Sequence, residues 1–211
     1  MRLISNGLLY FLTLGVAGYA VFVYGFLPLG AQVHPDMKVT FLAHSNVIYA
    51  HAFSSTVALT LGPFQFSTYL RQQYPSVHRW FGRAYLAVGV LVGGLSGLYM
   101  SQFAYGGSTA RLGFAALAVF WLYTGLCAYF AIRRGAVARH RKWMIRNFSL
   151  TFAAVMLRLY LLVSMTAGVE FSLSYPIIAW LCWVPNLAFA EWRYNIAHNA
   201  FNTDAQKQRA G

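Results

Sequence analysis

The chain has 211 residues, of which 59% are hydrophobic and only 9% are charged. A soluble domain carries about 25% charged residues, so this composition excludes a water-soluble globular protein and indicates one that is solvated by lipid. The net charge of +12 would suggest nucleic-acid binding in a soluble protein, but the basic residues cluster at the ends of apolar segments. Their placement favours a role in membrane topology and argues against a nucleic-acid partner.

Six apolar segments are long enough for a helix that crosses the bilayer, which needs about 20 apolar residues. The first lies in a run from Leu3 to Val33 that contains no Asp, Glu, Lys or Arg. Because a signal peptide has an apolar core of only about 7–15 residues, we expect a retained helix. The sequence therefore predicts an all-α, polytopic membrane bundle over residues 1–198, with helices two to five as its core, and a polar tail at 199–211. The helices are expected at about 7–27, 45–66, 84–103, 112–132, 148–168 and 175–191.

Glycine and proline give two of these helices special features. The third contains Gly93 and Gly97, a G-xxx-G spacing that lets two helix backbones approach closely. In the sixth, Pro185 predicts a kink, since proline removes a helical hydrogen bond and is tolerated in membrane helices where neighbours satisfy the freed carbonyl.

The basic residues divide unevenly between the two faces of the predicted bundle. With six helices, the N-terminus, the loops at 67–83 and 133–146 and the tail share one side and hold 13 Lys and Arg residues. The other side holds Lys38 and Arg111. Because cytoplasmic loops carry an excess of Lys and Arg, we expect both termini in the cytoplasm and the protein in a bacterial cytoplasmic (inner) membrane.

The two basic loops share a pattern of histidine, arginine and tryptophan. The first reads His78-Arg79-Trp80-Phe81-Gly82-Arg83, and the second reads His140-Arg141-Lys142-Trp143-Met144-Ile145-Arg146. Either the two are independent Trp/Arg anchors at the membrane surface, or helices two and three correspond to helices four and five as a parallel repeat. The arginines are expected to bind anionic lipid phosphates; the alternative is a pocket for an anionic ligand formed by His78, Arg79, Arg83, His140, Arg141 and Arg146.

These segments resemble the DUF2306 family of bacterial predicted membrane proteins. The resemblance rests on Leu61-Gly62-Pro63-Phe64-Gln65-Phe66, on Arg71, on the run from His78 to Tyr85, on the run from His140 to Arg146 and on the segment from Leu150 to Tyr160. It covers about residues 47–162. It implies a multi-helix membrane fold and marks these residues, but it implies no established activity.

Arg158 lies in the middle of the fifth predicted helix. An arginine at that depth costs about 2.5–3.5 kcal/mol on insertion scales and normally faces the bundle interior or a water-filled cavity. Glu170 and Glu191 lie near helix ends, so no carboxylate is expected at the depth of Arg158. Its partner is therefore a backbone carbonyl, a Tyr or Gln oxygen, a water or a bound anion, and the residue is either structural or the centre of a ligand site.

His44 and His51 are seven residues apart and share one face of the second helix. They are the candidate metal ligands of the sequence, with His51 as a possible axial ligand of a b-type haem. Each haem in a membrane cytochrome takes two axial ligands from facing helices, and no other helix contains an internal histidine. Met100 and Met165 could substitute, which leaves haem b as an open but unsupported cofactor.

The sequence contains no recognisable catalytic motif, so an enzyme is not the favoured class. Three functions remain. The first is a membrane protein that binds an anionic or redox ligand, haem or quinone, near Arg158 and the His/Arg loops. The second is a small transporter with an anion site at Arg158. The third is an accessory or assembly subunit. The expected partners are the bilayer and its anionic headgroups, with a second copy of the chain or a membrane complex as further candidates.

Overall fold

The protein is an all-helical bundle in a computed structural model that describes residues 2–193, with side chains from residue 7 onward; no strand occurs among those residues. Six helices are long and apolar enough to cross a membrane, which confirms the predicted fold class and helix count. The tail predicted at 199–211 and the predicted bundle end at residue 198 lie outside the described residues. The first to sixth spans are Gly7–Phe26, Ser45–Gln65, Pro75–Ser101, Gly107–Arg133, Val137–Thr166 and Phe171–Arg193.

The described part of the chain contains the α-helices named here, one π-helical segment and a final helix in the sixth span. The α-helices are α1 (Arg2–Phe26), α2 (Pro35–Ala43), α3 (Ser45–Gln65), α4 (Thr68–Gln73), α5 (Pro75–Ala84), α6 (Gly93–Ser101), α7 (Gly107–Arg133), α8 (Val137–Thr151), α9 (Ala153–Thr166) and α10 (Phe171–Leu181), and the π-helical segment is Tyr85–Val92. After a turn at residues 182–183, the sixth span continues as helix over 184–193.

The two ends of the bundle differ in charge and in structure. We call the end that carries α4, the start of α5 and the start of α8 the basic face, because the Arg-rich segments lie there. The opposite face carries α2 and the turn between α6 and α7. α2 begins with Pro35 at its first turn, a position that suits proline because no helical partner exists for its nitrogen.

The third and fifth spans begin earlier than the sequence predicts. α5 starts at Pro75 and runs into the π-helical segment, and α8 starts at Val137, so most of both expected loops is helical. Charged side chains interrupt the apolar run in these segments, but they do not interrupt the backbone hydrogen bonds. Long basic side chains at a helix end can also reach the membrane surface while the helix continues.

The break in the sixth span occurs beside the proline that predicts it. α10 ends at Leu181 and a turn at Cys182 and Trp183 precedes the helix that contains Pro185. Pro185 has no N–H to donate to the carbonyl of Leu181, which leaves the last turn of α10 without its continuing hydrogen bond. Asn186 Nδ2 donates instead to the Cys182 carbonyl at 2.8 Å and so satisfies part of the interrupted backbone.

The core lies between the second, third, fourth and fifth spans, as the sequence predicts. Its main cluster contains residues from all four, with Cys182 and Trp183 added by the sixth span. α1 packs against α3 and α9 at the edge of this core. Many large apolar side chains point outward instead; Phe11, for example, is 73% exposed. A surface of this kind is compatible with lipid and not with water.

Among the described glycines, Gly89 is the one that a neighbouring helix backbone approaches most closely, and the predicted G-xxx-G pair is not. A Cβ at Gly89 would lie 2.7 Å from Ala58 Cβ and 2.9 Å from Ala58 Cα on α3. Gly93 and Gly97 instead make room for side chains, since their missing Cβ atoms would lie 3.1 Å from the Trp121 ring and 3.0 Å from the His51 ring.

Gly89→Ala is therefore expected to destabilise the bundle. The added methyl group would meet Ala58, and overpacking of this kind costs about 1–3 kcal/mol. Thermal unfolding of the purified protein in detergent should show a lower midpoint. Gly18→Ala is the matched control, because no atom lies within 4 Å of a Cβ there and alanine is the better helix former. A midpoint in Gly89→Ala equal to that of Gly18→Ala would contradict the close packing of α3 and the π-helical segment.

Candidate functional site

A cavity of about 280 Å³ lies in the centre of the bundle. Its wall is formed by α1, α3, α6, α7, α8, α9 and α10, and it extends to α2 and the residues around Phe103 at the opposite face. The lining is mostly apolar, with a small number of polar groups, which is the usual character of a small-molecule site. Two of the residues that the sequence selects as ligand candidates, His51 and Arg158, both line it.

Arg158 projects from α9 into the wall of the cavity. Its Nη1 donates a hydrogen bond of 2.8 Å to the carbonyl of Ala154 one turn earlier, and its Cζ lies 5.8 Å from the centre of the Tyr19 ring on α1. The Ala154 carbonyl is one of the partner types that the sequence predicts, whereas the Tyr19 contact is made with the face of the ring and not with its oxygen. No Asp or Glu is among the residues that line the cavity, so the described wall carries a guanidinium charge without a carboxylate.

His51 is fixed by a carbonyl from the neighbouring span. Its Nδ1 lies 2.9 Å from the Gly93 oxygen, and because a carbonyl can only accept, Nδ1 carries the hydrogen. Nε2 lies 3.5 Å from the Ser55 hydroxyl oxygen. In a neutral imidazole Nε2 is therefore an acceptor. Gly93 directly follows the π-helical segment, a rare element that is frequently found at functional sites.

His44 lines the cavity at the edge nearer the opposite face. Its ring stacks on Phe103, with 4.2 Å between the ring centres, and its Nδ1 lies 3.3 Å from the Tyr99 hydroxyl. Within residues 2–193 the structure contains no group of three or more His, Cys, Asp or Glu that could hold a metal ion. His51 lies on α3 and His44 directly precedes that helix, and the metal assignment of this pair stays a prediction.

A buried hydrogen-bond network joins the third, fourth and fifth spans beside the cavity. The sequence does not reveal this network. Tyr85 and Asn147 have no exposed surface. The Tyr85 hydroxyl donates to Asn147 Oδ1 at 2.7 Å and lies 2.8 Å from Thr151 Oγ1. Asn147 Nδ2 donates to the Trp121 carbonyl at 2.8 Å and to Thr124 Oγ1 at 2.9 Å, and Trp121 Nε1 donates to Thr151 Oγ1 at 2.9 Å.

One signal in the sequence could have located this network. Tyr85 follows His78 by the same seven residues by which Asn147 follows His140, so the two residues occupy matching positions in the possible repeat. From the sequence alone, Tyr85 is named only as the end of the run from His78, and Asn147 is not singled out. Trp121 and Thr151 also line the cavity, which makes the network one wall of the site.

The basic-face candidates do not reach the cavity. His78, Arg79, Arg83, His140, Arg141 and Arg146 are all absent from its lining. Arg83 and Arg146 lie over tryptophan rings, with Cζ 5.1 Å from the centre of Trp80 and 4.7 Å from that of Trp143. The structure therefore separates the predicted ligand residues into a cavity group, which contains His44, His51 and Arg158, and a basic-face group.

In the second basic segment, two of the candidates have partners inside the protein. Arg146 forms a bidentate ion pair with Glu191 of the sixth span, in which Nη2 donates to Oε2 at 2.7 Å and Nε donates to Oε1. The His140 Nδ1 atom lies 2.9 Å from the Ala128 carbonyl oxygen, so His140 connects α8 to α7. Arg141 is exposed.

Comparison with known proteins identifies a family and nothing more specific. A family model described as "Predicted membrane protein (DUF2306)" matches residues 48–193, from the start of the second span to the end of the described sixth span. No curated protein matches the chain significantly, and no solved structure does so either.

Loss of the Tyr85 hydroxyl should destabilise the bundle without creating a large cavity in its core. In Tyr85→Phe the Asn147 Oδ1 atom loses a buried donor, and leaving a buried polar group unsatisfied costs about 1–3 kcal/mol. We expect a lower midpoint of thermal unfolding in detergent. Tyr129→Phe provides the control, because Tyr129 is 44% exposed on α7. Equal midpoints for the two variants would show that the network contributes no stability.

Proposed function

This chain belongs to the DUF2306 family of predicted membrane proteins, and because that description names no activity, we propose a function from the geometry of the cavity. The protein binds an amphiphilic ligand whose anionic or hydrogen-bond-accepting headgroup lies on Arg158. The apolar part of the ligand occupies the remainder of the cavity, toward the opposite face.

The uncompensated charge of Arg158 is the observation that supports this proposal. An intramembrane cation is costly and usually pairs with another group or marks a ligand pathway. The Ala154 carbonyl occupies one donor of Arg158, whereas a guanidinium has five. A carboxylate, or the carbonyl oxygen of a quinone, would accept from the remaining donors and would lower the cost of burying the charge.

The rest of the lining favours an apolar ligand body. Phe41, Met100, Phe103 and Phe114 all contribute to the wall between Arg158 and the opposite face. The volume of about 280 Å³ is near the lower end of the range of about 300–1,000 Å³ that is usual for small-molecule pockets. A short chain or a single ring therefore fits the site better than a large cofactor.

A b-type haem is the cofactor that would compete with this proposal, because His51 could be one of its axial ligands. Because Nδ1 donates to Gly93, Nε2 is the nitrogen that could ligate an iron atom, and a second-shell carbonyl of this kind commonly orients a ligating histidine. A b-type haem also needs a second axial ligand from a facing helix. Met100 on α6 lines the same cavity and is the thioether that could supply it.

Binding of a matched pair of ligands tests the proposal. Dodecanoate should raise the thermal unfolding midpoint of the purified protein in detergent, because a ligand that binds the folded state stabilises it by mass action. Dodecanol, which lacks the charge, should do so less. In Arg158→Gln the affinity for dodecanoate should fall about tenfold or more, since hydrogen bonds to charged groups contribute about 1.5–3 kcal/mol.

The control variant for this experiment is Arg111→Gln, which removes a charge from an exposed position at the start of α7. If Arg158→Gln and Arg111→Gln respond alike to dodecanoate, Arg158 is not a headgroup site. A short-chain quinone that binds more tightly than dodecanoate, again through Arg158, would assign the redox class of ligand. A Soret band that disappears in His51→Ala would replace the proposal with haem binding.

We further propose that the protein lies in a bacterial cytoplasmic membrane with its basic face and both termini in the cytoplasm. The support is the distribution of Lys and Arg between the two faces. Green fluorescent protein fused after Gly211 should fluoresce, and alkaline phosphatase fused there should be inactive. The same reporters fused after Tyr105, between α6 and α7, should give the reverse pattern. Fluorescence at both positions would contradict the proposed orientation.

A further inference from the structure

A second polar site lies at the basic face, away from the cavity, where α3 and α5 meet. Gln65 is the last residue of α3 and only 9% of its surface is exposed. Its Oε1 faces α5, since it lies 3.1 Å from the place that a Cβ on Gly82 would occupy. Its Nε2 is buried and has no hydrogen-bond partner among the described residues. A buried amide donor without a partner is uncommon in folded proteins.

His78 contributes a second unpartnered atom to the same junction. It precedes Gly82 by four residues on α5, so the two residues lie on one face of that helix, the face that meets the end of α3. The Nδ1 atom of His78 is buried and has no partner within residues 7–193. Two buried nitrogens, one on α3 and one on the neighbouring α5, therefore have no hydrogen-bond partner among the described residues.

The surroundings of these atoms are positively charged. Arg71 on α4, Arg79 on α5 and His140 on α8 are close enough to His78 to interact with it electrostatically. The described acidic residues are Asp36 and Glu170 at the opposite face and Glu191, which is paired with Arg146. A bridging water could satisfy Gln65 and His78, but it would leave the surrounding charge uncompensated.

We propose that Gln65 and His78, with Arg71 and Arg79, form a binding site for a phosphate group at the basic face. Phosphate oxygens accept hydrogen bonds from amide, imidazole and guanidinium donors, and charge-assisted bonds of this type are the strong ones. The phosphate belongs either to an anionic lipid headgroup or to a free phosphomonoester. None of these residues lines the central cavity, so the site does not depend on the proposed ligand of Arg158.

The substitution Gln65→Glu distinguishes a change in phosphate affinity from a change in the stability of the protein. The new carboxylate has nearly the same size as the amide and would supply the missing negative charge from within the protein. We therefore expect the delipidated variant to be at least as stable as the wild type, while its affinity for a phosphate group falls about tenfold or more because two anions would share the site. Gln73→Glu is the matched control, because it makes the same change at an exposed position on α4.

The two sources of phosphate require separate measurements on the full chain. Native mass spectrometry after reconstitution with phosphatidylglycerol or phosphatidylcholine measures retained lipid, and thermal unfolding with inorganic phosphate, against chloride at equal ionic strength, measures free anion binding. Loss of retained phosphatidylglycerol in Gln65→Glu but not in Gln73→Glu supports a lipid headgroup. Loss of the phosphate-induced midpoint shift in Gln65→Glu alone supports a free phosphate.

His78→Leu provides a second test that does not add a charge. It removes one donor and leaves Arg71 and Arg79 in place, so it should weaken binding of whichever probe the wild type retains. If neither probe binds the wild type, or if Gln65→Glu and His78→Leu both bind as tightly as Gln73→Glu, the proposal is overturned and the junction holds water alone.

Discussion

The hydrogen bond between Tyr85 and Asn147 fixes the relative positions of the helices that surround the cavity. Lipid offers no donors or acceptors, so polar groups inside the bundle must find their partners within the protein. The Tyr85 hydroxyl and the Asn147 amide meet at 2.7 Å, and Trp121 and Thr151 complete the network across three spans. These directional contacts define a single register for the third, fourth and fifth spans, which apolar packing against lipid would specify less sharply.

The cavity and the basic face are two consequences of that register. With the half of the bundle core nearer the basic face tied together, the helices enclose space on the other side of the network, where His51 and Arg158 line one cavity. On the side of the basic face, α3 packs against α5, and these two helices carry the buried Gln65 Nε2 and His78 Nδ1 atoms. The network thus lies between two polar regions, the central cavity and the surroundings of Gln65 and His78. The second and third spans contribute residues to both regions.

Sequence patterns located the spans well and the side-chain partners poorly. Apolar run length determines whether a helix can cross a membrane, and for this reason the six spans could be predicted. Helix starts were less accurate: α5 and α8 extend the third and fifth spans through basic segments, because hydropathy measures side-chain solvation and not backbone hydrogen bonding. The candidate residues His51 and Arg158 were recognisable as polar groups in apolar helices, whereas Asn147, at the edge of a basic segment, was not.

The sequence by itself determined the fold class, the number of spans and the presence of a charged group within the membrane. These properties depend on local composition, which each segment carries independently of its neighbours. Only the tertiary structure decided that Arg158 and His51 share a cavity, that Arg146 pairs with Glu191, and that Gly89, unlike Gly93, lies against the backbone of a neighbouring helix. Such relations depend on how helices distant in sequence rotate and pack against one another, and periodicity within a single helix does not specify the partner that its polar face will meet.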